Sequence, residues 1–324
     1  MQKCVMRILL LLILVSTQVS ADEALRRQAS GLFGRIEAPT GAPGPAAVLG
    51  RALFWDERIS SDGKTSCGSC HFAQDWGADR RPFSPDASGK LTSRHSPTVF
   101  NSMGQPALRW LSDRKTGAIQ AEGSLTGSLG FAKRESALEK LRELNYEADF
   151  RRAFPQDAEP LSTANYGKAL EAYQATLVTP APFDRFLAGD DRAMTPKQLA
   201  GLRTFIATGC GACHSGALLG GSQLVKFGVV KDYWAETGSA KPDVGRFAAT
   251  KKEEDRYVFR VPMLRNVAKT APYFHDGSVA SLDRAVRIMA SVQLGRQLED
   301  AAVSDIVAFL ESLTGEVPAH YAKP

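Results

Sequence analysis

The chain has 324 residues, 44% of them hydrophobic, with a formal net charge of +5 and five cysteines. That excess of charge is too small to make nucleic acid the main partner, and five cysteines are too few for a disulfide scaffold of this length. About 300 residues remain once an N-terminal leader is set aside. They exceed one comfortable core, so two domains are expected.

In chain order, residues 1–21 read as a secretory signal. Lys3 and Arg7 give a basic start, Ile8 to Val15 an unbroken apolar run, and Val19-Ser20-Ala21 a small-residue cleavage site. The run is too short to span a bilayer, and Cys4 falls within the discarded part. Export places the mature protein in the periplasm. Residues 22–47, polar and then rich in Pro, Gly and Ala, read as a surface linker.

Leu49 to Trp55 supplies an apolar approach to Cys67-Gly68-Ser69-Cys70-His71. Two cysteines with two residues between them, followed at once by histidine, form the attachment signature of c-type haem. The thiols add to the porphyrin vinyl groups, and the adjacent imidazole is held under the iron. Cys210-Gly211-Ala212-Cys213-His214 repeats the pattern about 140 residues later. The two motifs use all four cysteines of the mature chain, so two covalently bound haem c groups are expected. No disulfide remains to propose.

Phe72 to Arg94 is rich in Gly, Pro, Asp and Ser and reads as a long loop, which its place after a haem ligand marks as functional. Thr163 to Val178 carries Tyr166, Leu170, Tyr173 and Leu177 at helical spacing, ended by Pro180. Thr195-Pro196-Lys197-Gln198 is a capping box with proline at the first helical position. The helix it opens, with Leu199, Leu202, Phe205 and Ile206 on one face, runs into Cys210. Leu282 to Gln293 is amphipathic, and a last helix with Val303, Ile306, Val307, Leu310 and Leu313 stops at Gly315. No strand-rich region and no repeat beyond the haem motif are evident.

An iron with two protein ligands transfers electrons, whereas one with an empty sixth position binds peroxide or oxygen. Besides His71 and His214, the mature chain offers His95, His275, His320, Met103, Met194, Met263 and Met289 as candidates. On spacing alone, Met289 fits either a core methionine or a cap on the haem of His214.

Several stretches resemble the bacterial dihaem cytochrome c peroxidases and the related MauG-type enzymes. They are Leu49 to Asp56, Pro97-Thr98-Val99-Phe100-Asn101, Tyr257-Val258-Phe259-Arg260, Leu264-Arg265-Asn266, and Thr270 to Gly277. The resemblance runs from about residue 47 to Val317. It implies a mainly α fold of two cytochrome c-like domains, each around one haem. Residues 48–180 would hold the peroxide-reactive haem and 181–324 the electron-transfer haem. It also implies that Met289 is the axial ligand of the second haem, Trp110 a relay between the haems, and Gln120 part of the peroxide pocket.

Three departures stand against the family pattern. Phe72 to Arg94 contains no histidine, where enzymes needing reductive activation carry a detachable one. The pocket glutamate falls on Gly130, with Glu122 and Glu135 as conceivable substitutes. At the interdomain calcium site, Thr270 and Pro272 match the carbonyl donors, but His95 stands where an asparagine is expected. Imidazole is a poor calcium ligand, which makes calcium doubtful.

The leading reading is a periplasmic dihaem cytochrome c peroxidase that takes electrons from a small cytochrome c or cupredoxin. A homodimeric assembly is allowed. One rival is a MauG-type enzyme oxidising Trp or Tyr of a partner protein. The other is a non-catalytic dihaem carrier, for which His95 would have to cap the first iron.

Overall fold

The computed structural model describes residues 21–324. The expected signal segment therefore lies, except for Ala21, outside the described residues. Twelve helices are present among those residues: α1 (Ala21–Leu32), α2 (Pro45–Trp55), α3 (Gly117–Thr126), α4 (Arg134–Glu143), α5 (Glu147–Ala153), α6 (Thr163–Ala175), α7 (Pro182–Leu187), α8 (Pro196–Thr208), α9 (Tyr233–Thr237), α10 (Phe247–Thr250), α11 (Leu282–Leu294) and α12 (Asp300–Glu311). Two three-residue strands, β1 (Leu224–Lys226) and β2 (Val258–Arg260), pair antiparallel with Val225 opposite Phe259. The mainly α expectation holds. No helix among the described residues is long and apolar enough to cross a membrane.

Two lobes repeat one plan. In the first, α2 crosses α6 over a core that includes Leu53, Phe54, Leu125, Phe150 and Tyr166. In the second, α8 crosses α12 over Leu202, Phe205, Ile306 and Phe309. Each crossing is closed by a glycine: a Cβ on Gly50 would overlap the Ala169 carbonyl, and one on Gly201 the Asp305 carbonyl. Backbone can approach backbone there only because no side chain intervenes. In each lobe the first helix of the pair leads to a Cys-x-x-Cys-His turn.

The repeat extends further than the haem motif that announced it. Asn101 and Asn266 both adopt left-handed backbone (φ 58° and 63°) and open 3-10 turns. Both donate side-chain hydrogen bonds to Thr179 Oγ1, at 2.8 and 2.9 Å. Thr179 is thus the shared joint of the two lobes. Only the Pro-x-x-x-Asn spacing of Pro97–Asn101 and Pro262–Asn266 hints at this in the sequence.

The capping box forms as expected: Thr195 Oγ1 accepts from the Gln198 amide, while Gln198 Oε1 accepts from the Thr195 amide. The Phe72 to Arg94 segment is indeed without α-helix, yet it is firmly built. Asp79, fully buried, accepts from Arg81 and Ser84. Arg81 in turn donates to the Ser69 carbonyl at 2.8 Å, tying the loop back to the first haem motif.

Both ends of the described chain pack away from their neighbours in sequence. Residues 22–47 are not simply a surface linker: Leu25, Ala29 and Phe33 recur at helical spacing and are buried in the second lobe against Phe183 and Phe205. Burial of one such large side chain is worth about 1.5–3 kcal/mol, enough to hold a strap that is polar on average. After Gly315 the chain returns to the first lobe, where Tyr321 is 2% exposed, packs on Phe54 and Phe100, and donates to the His71 carbonyl at 2.7 Å. The two ends of the described chain are exchanged between the lobes.

Candidate haem sites and peroxide pocket

Both Cys-x-x-Cys-His segments fold as 3-10 turns, with the histidine amide bonded back to the carbonyl of the first cysteine, at 3.1 Å in the first and 3.0 Å in the second. His71 Nδ1 lies 2.8 Å from the Gly77 carbonyl and His214 Nδ1 3.1 Å from the Leu219 carbonyl. A carbonyl only accepts, so each Nδ1 carries the proton and each Nε2 keeps its lone pair free for a metal. This backbone partner fixes ring orientation and tautomer, as ligating histidines require. Burial lowers both imidazole pKa values, holding the rings neutral. Burial also pushes the Cys67 thiol up to about 12 and the Cys210 thiol up to about 11. None of the four cysteines is in a disulfide.

In the second lobe, Cys210, Cys213, His214 and Met289 line one cavity, with about 1230 Å³ of empty space counting its mouth. Its walls are mostly apolar, including Phe205, Leu264, Phe274, Ile306 and Leu310. The motif thiols, the free His214 Nε2 and a thioether brought in by α11 fit a haem there. The first lobe leaves different marks. Gln120 Oε1 on α3 and the Tyr166 hydroxyl on α6 are buried without any hydrogen-bond partner. Buried polar atoms are rarely left so, which fits a pocket that takes a polar guest. Tyr166 lies near Cys67 and Ser124, and burial drives its pKa well above the ordinary value. The sequence offered Tyr166 only as a helix-face residue.

Trp110 stands between the two lobes. Its indole N–H donates to the His95 carbonyl at 2.9 Å, its carbonyl accepts from the Arg260 amide at 2.7 Å, and its ring meets His275 edge-on at 6.3 Å. Nearby, Arg94 forms a two-pronged ion pair with Asp243, at 2.6 and 2.9 Å, that staples the first-lobe loop to the second lobe.

His95 is 5% exposed and is held by the backbone on two sides. Its Nε2–H donates to the Asp79 carbonyl at 2.7 Å, and its amide to the His275 carbonyl at 2.7 Å. His95, Thr270 and Pro272 line a small interlobe cavity together with Gln105 and Arg260, and no carboxylate contributes to the wall. No cluster of three or more His, Cys, Asp or Glu side chains able to hold a metal occurs among the described residues. A wall with a guanidinium and no acid is a poor fit for calcium, which takes oxygen ligands.

The suggested stand-ins for the pocket glutamate are placed elsewhere. Glu122 accepts from Thr163 Oγ1 at 2.6 Å and pairs with Arg134 at 3.0 Å, tying α3 to α6 and α4. Glu135 is exposed on the first turn of α4. Gly130 itself sits at φ +75°, and a Cβ there would meet Ser61 Oγ and Ala87 Cβ at 2.5 and 2.9 Å. A glutamate is therefore excluded by both backbone and space. Gly130→Glu should lower thermal stability, by about 1–3 kcal/mol in a chemical unfolding curve, and should not raise peroxidase turnover.

Two mostly helical lobes, each with one haem-binding turn and a tryptophan between them, define a dihaem protein of the cytochrome c class. The family model for di-haem cytochrome c peroxidase matches residues 45–192. The chain is 43% identical to the cytochrome c551 peroxidase of Pseudomonas aeruginosa, over 95% of this chain and 91% of that protein. It is 30% identical to the methylamine utilization protein MauG of Methylophilus methylotrophus, over 83% and 82% of the two chains. The crystal structure of a MauG-like protein associated with microbial copper homeostasis superposes with a TM-score of 0.76 at 26% identity, covering 90% of this chain and 96% of that one. The chain belongs to the di-haem cytochrome c peroxidase family. It is a haem-dependent peroxidase.

Proposed function

We propose that this is a periplasmic dihaem c peroxidase whose first haem is open to peroxide without prior reduction, and whose second haem receives electrons from a small cytochrome c or cupredoxin. The overall reaction takes hydrogen peroxide, two electrons and two protons to two molecules of water. The haems supply the redox chemistry; the chain supplies ligation, orientation and a path between them. Residues 48–180, completed by the C-terminal tail, would form the peroxide-reacting lobe. Residues 181–315, completed by α1, would form the electron-entry lobe.

The observation that carries this reading is an account of the histidines. The chain has five. His71 and His214 belong to the attachment motifs, His95 is bonded through Nε2 to Asp79, and His320 Nε2 is bonded to Thr176 Oγ1 at 2.9 Å. His275 lines the second cavity. His95 and His320 could reach an iron only through Nδ1, and His275 lies at the other cavity, which favours an open first iron over both the pure carrier and a detachable histidine.

Within the first lobe, His71 Nε2 would hold the haem iron. Gln120, whose Oε1 has no other partner, would accept a hydrogen bond from the incoming peroxide. Tyr166 would offer a hydroxyl at the same pocket. In the second lobe, His214 and Met289 would both hold the haem iron, a thioether raising its potential. Trp110, bonded to both lobes, would carry electrons between them.

The MauG-type alternative keeps two observations in its favour, the glycine in place of the pocket glutamate and the absence of a histidine from Phe72 to Arg94. The two readings separate in a steady-state assay. Reduced small cytochrome c should be oxidised in proportion to peroxide added, two equivalents per peroxide. Slow turnover with that donor, together with a covalent oxidation product on a partner protein, would support the alternative. Because the interlobe wall does not suit calcium, extensive chelator treatment is expected to leave that rate unchanged within about twofold. A loss restored by calcium, but not by magnesium, would overturn the reading of that cavity.

A further inference from the structure

The second lobe buries two arginines, and they differ in one respect. Arg265, 1% exposed, is matched by Asp184 in a two-pronged pair at 2.7 and 2.9 Å. Arg260, 4% exposed, has no carboxylate within ion-pair distance among the described residues. Its Nε donates to the Arg109 carbonyl at 2.9 Å and its Nη1 to Gln105 Oε1, both neutral acceptors. Taking a guanidinium out of water costs several kcal/mol unless an anion compensates. Neutral carbonyls do not supply the missing charge.

Arg260 stands between two cavities, the small interlobe one and the larger one of the second lobe. The side chain lines the cavity that also contains Cys210, Cys213, His214 and Met289. The same wall carries His275, 2% exposed, whose Nε2 is buried with no hydrogen-bond partner, the Asp243 carboxylate standing 3.9 Å away. In a lining that is otherwise mostly apolar, a cation without a counter-ion and an imidazole nitrogen without a hydrogen bond mark one polar end. A haem has one such end, the edge that bears its two propionates.

We infer that Arg260 binds a propionate of the second haem, with His275 Nε2 at the same polar edge. The guanidinium then does two things. Its Nε, its Nη1 and its backbone amide hold the segment that presents Trp110, and its remaining N–H groups and its charge face the haem. It is a positioning residue that fixes relay and haem edge relative to each other. Its charge disfavours the ferric state and raises the potential of the haem that accepts electrons.

The inference rests on the His214 lobe holding a haem, and one set of measurements separates the two claims. A haemochromogen assay counts haems, and a redox titration followed at the absorption bands of the second haem gives its midpoint. With two haems present, Arg260→Gln should lower that midpoint, shifting the ratio of reduced to oxidised form at fixed solution potential roughly tenfold, equivalent to about 59 mV for one electron. Arg260→Lys keeps the charge and should stay near wild type, although its contacts to Arg109 and Gln105 are lost. Two haems with an unmoved midpoint in Arg260→Gln, or an equal fall in both variants, would overturn the inference alone. Fewer than two haems in the wild-type protein would overturn the reading beneath it. If Arg260→Gln does not fold, resonance Raman of the wild-type protein decides. Propionate-bending bands that shift in deuterium oxide support a guanidinium partner, and bands that do not shift contradict it.

Discussion

Replacing Cys67 and Cys70 with alanine should leave a protein with one covalent haem, a normal spectrum for the second, and almost no peroxidase turnover. The expected loss is at least about a thousandfold, because enzymes draw a millionfold or more from chemistry at their reactive group. The matching change at Cys210 and Cys213 should give a different failure. Its first haem should still react once with peroxide, but a reduced cytochrome should no longer restore it. Intact mass counts the haems, a single peroxide addition reads the first site, and steady-state oxidation of the donor reads the whole path. If the Cys67/Cys70 variant retained turnover, and the Cys210/Cys213 variant lost its single peroxide reaction, the roles of the lobes would be reversed.

Asp184→Asn is expected to have the largest effect on stability. The carboxylate accepts from Arg265 twice, from the Ala181 amide at 2.8 Å and from the Ile36 amide at 2.9 Å. Arg265 also donates to the Ala217 and Gly34 carbonyls at 2.9 and 3.2 Å. One buried ion pair thus fastens the N-terminal strap, the start of α7 and the segment following His214. Removing its negative charge strands a fully buried guanidinium, which typically costs about 3–5 kcal/mol. For a chain of this size that corresponds to a fall in melting temperature of roughly 6–20 °C. Scanning calorimetry of the haem-loaded protein measures it, and a shift below about 2 °C would show that the pair is not a principal tie.

Much of this architecture was legible in the sequence wherever a local pattern carries it. The haem motifs, the capping box at Thr195 and Gln198, and the helix from Thr163 depend on residues within one or two turns of each other. The strap was hidden because Leu25, Ala29 and Phe33 are only three apolar points in a polar stretch, and what they pack on lies about 150 residues away. The C-terminal tail was silent for the same reason: Tyr321 acquires meaning only against Phe54, Phe100 and His71. Asp184 and Arg265 are separated by 81 residues, and no periodicity joins them.

The candidate site divides along the same line. Attachment residues, Trp110 and Met289 are expectations from motif and resemblance, and Met289 lines the same cavity as His214. His95 could not be resolved from sequence, because its role depends on the Asp79 carbonyl it reaches. The need for a glycine at 130 was equally invisible. It follows from a left-handed turn pressed against Ser61 and Ala87, two loops far away in the chain. Arg260 stood in a quoted motif, yet only the structure reveals that it is buried with neutral acceptors and no carboxylate among the described residues.

The central claim, an open first haem beside a ligated second one, is tested most directly by the electronic spectrum and spin state of the oxidised protein. One equivalent of hydrogen peroxide is then added with no reductant present. The account predicts one high-spin and one low-spin haem, and an immediate spectral change at the high-spin haem. Two low-spin haems that ignore peroxide until one electron is supplied would contradict it.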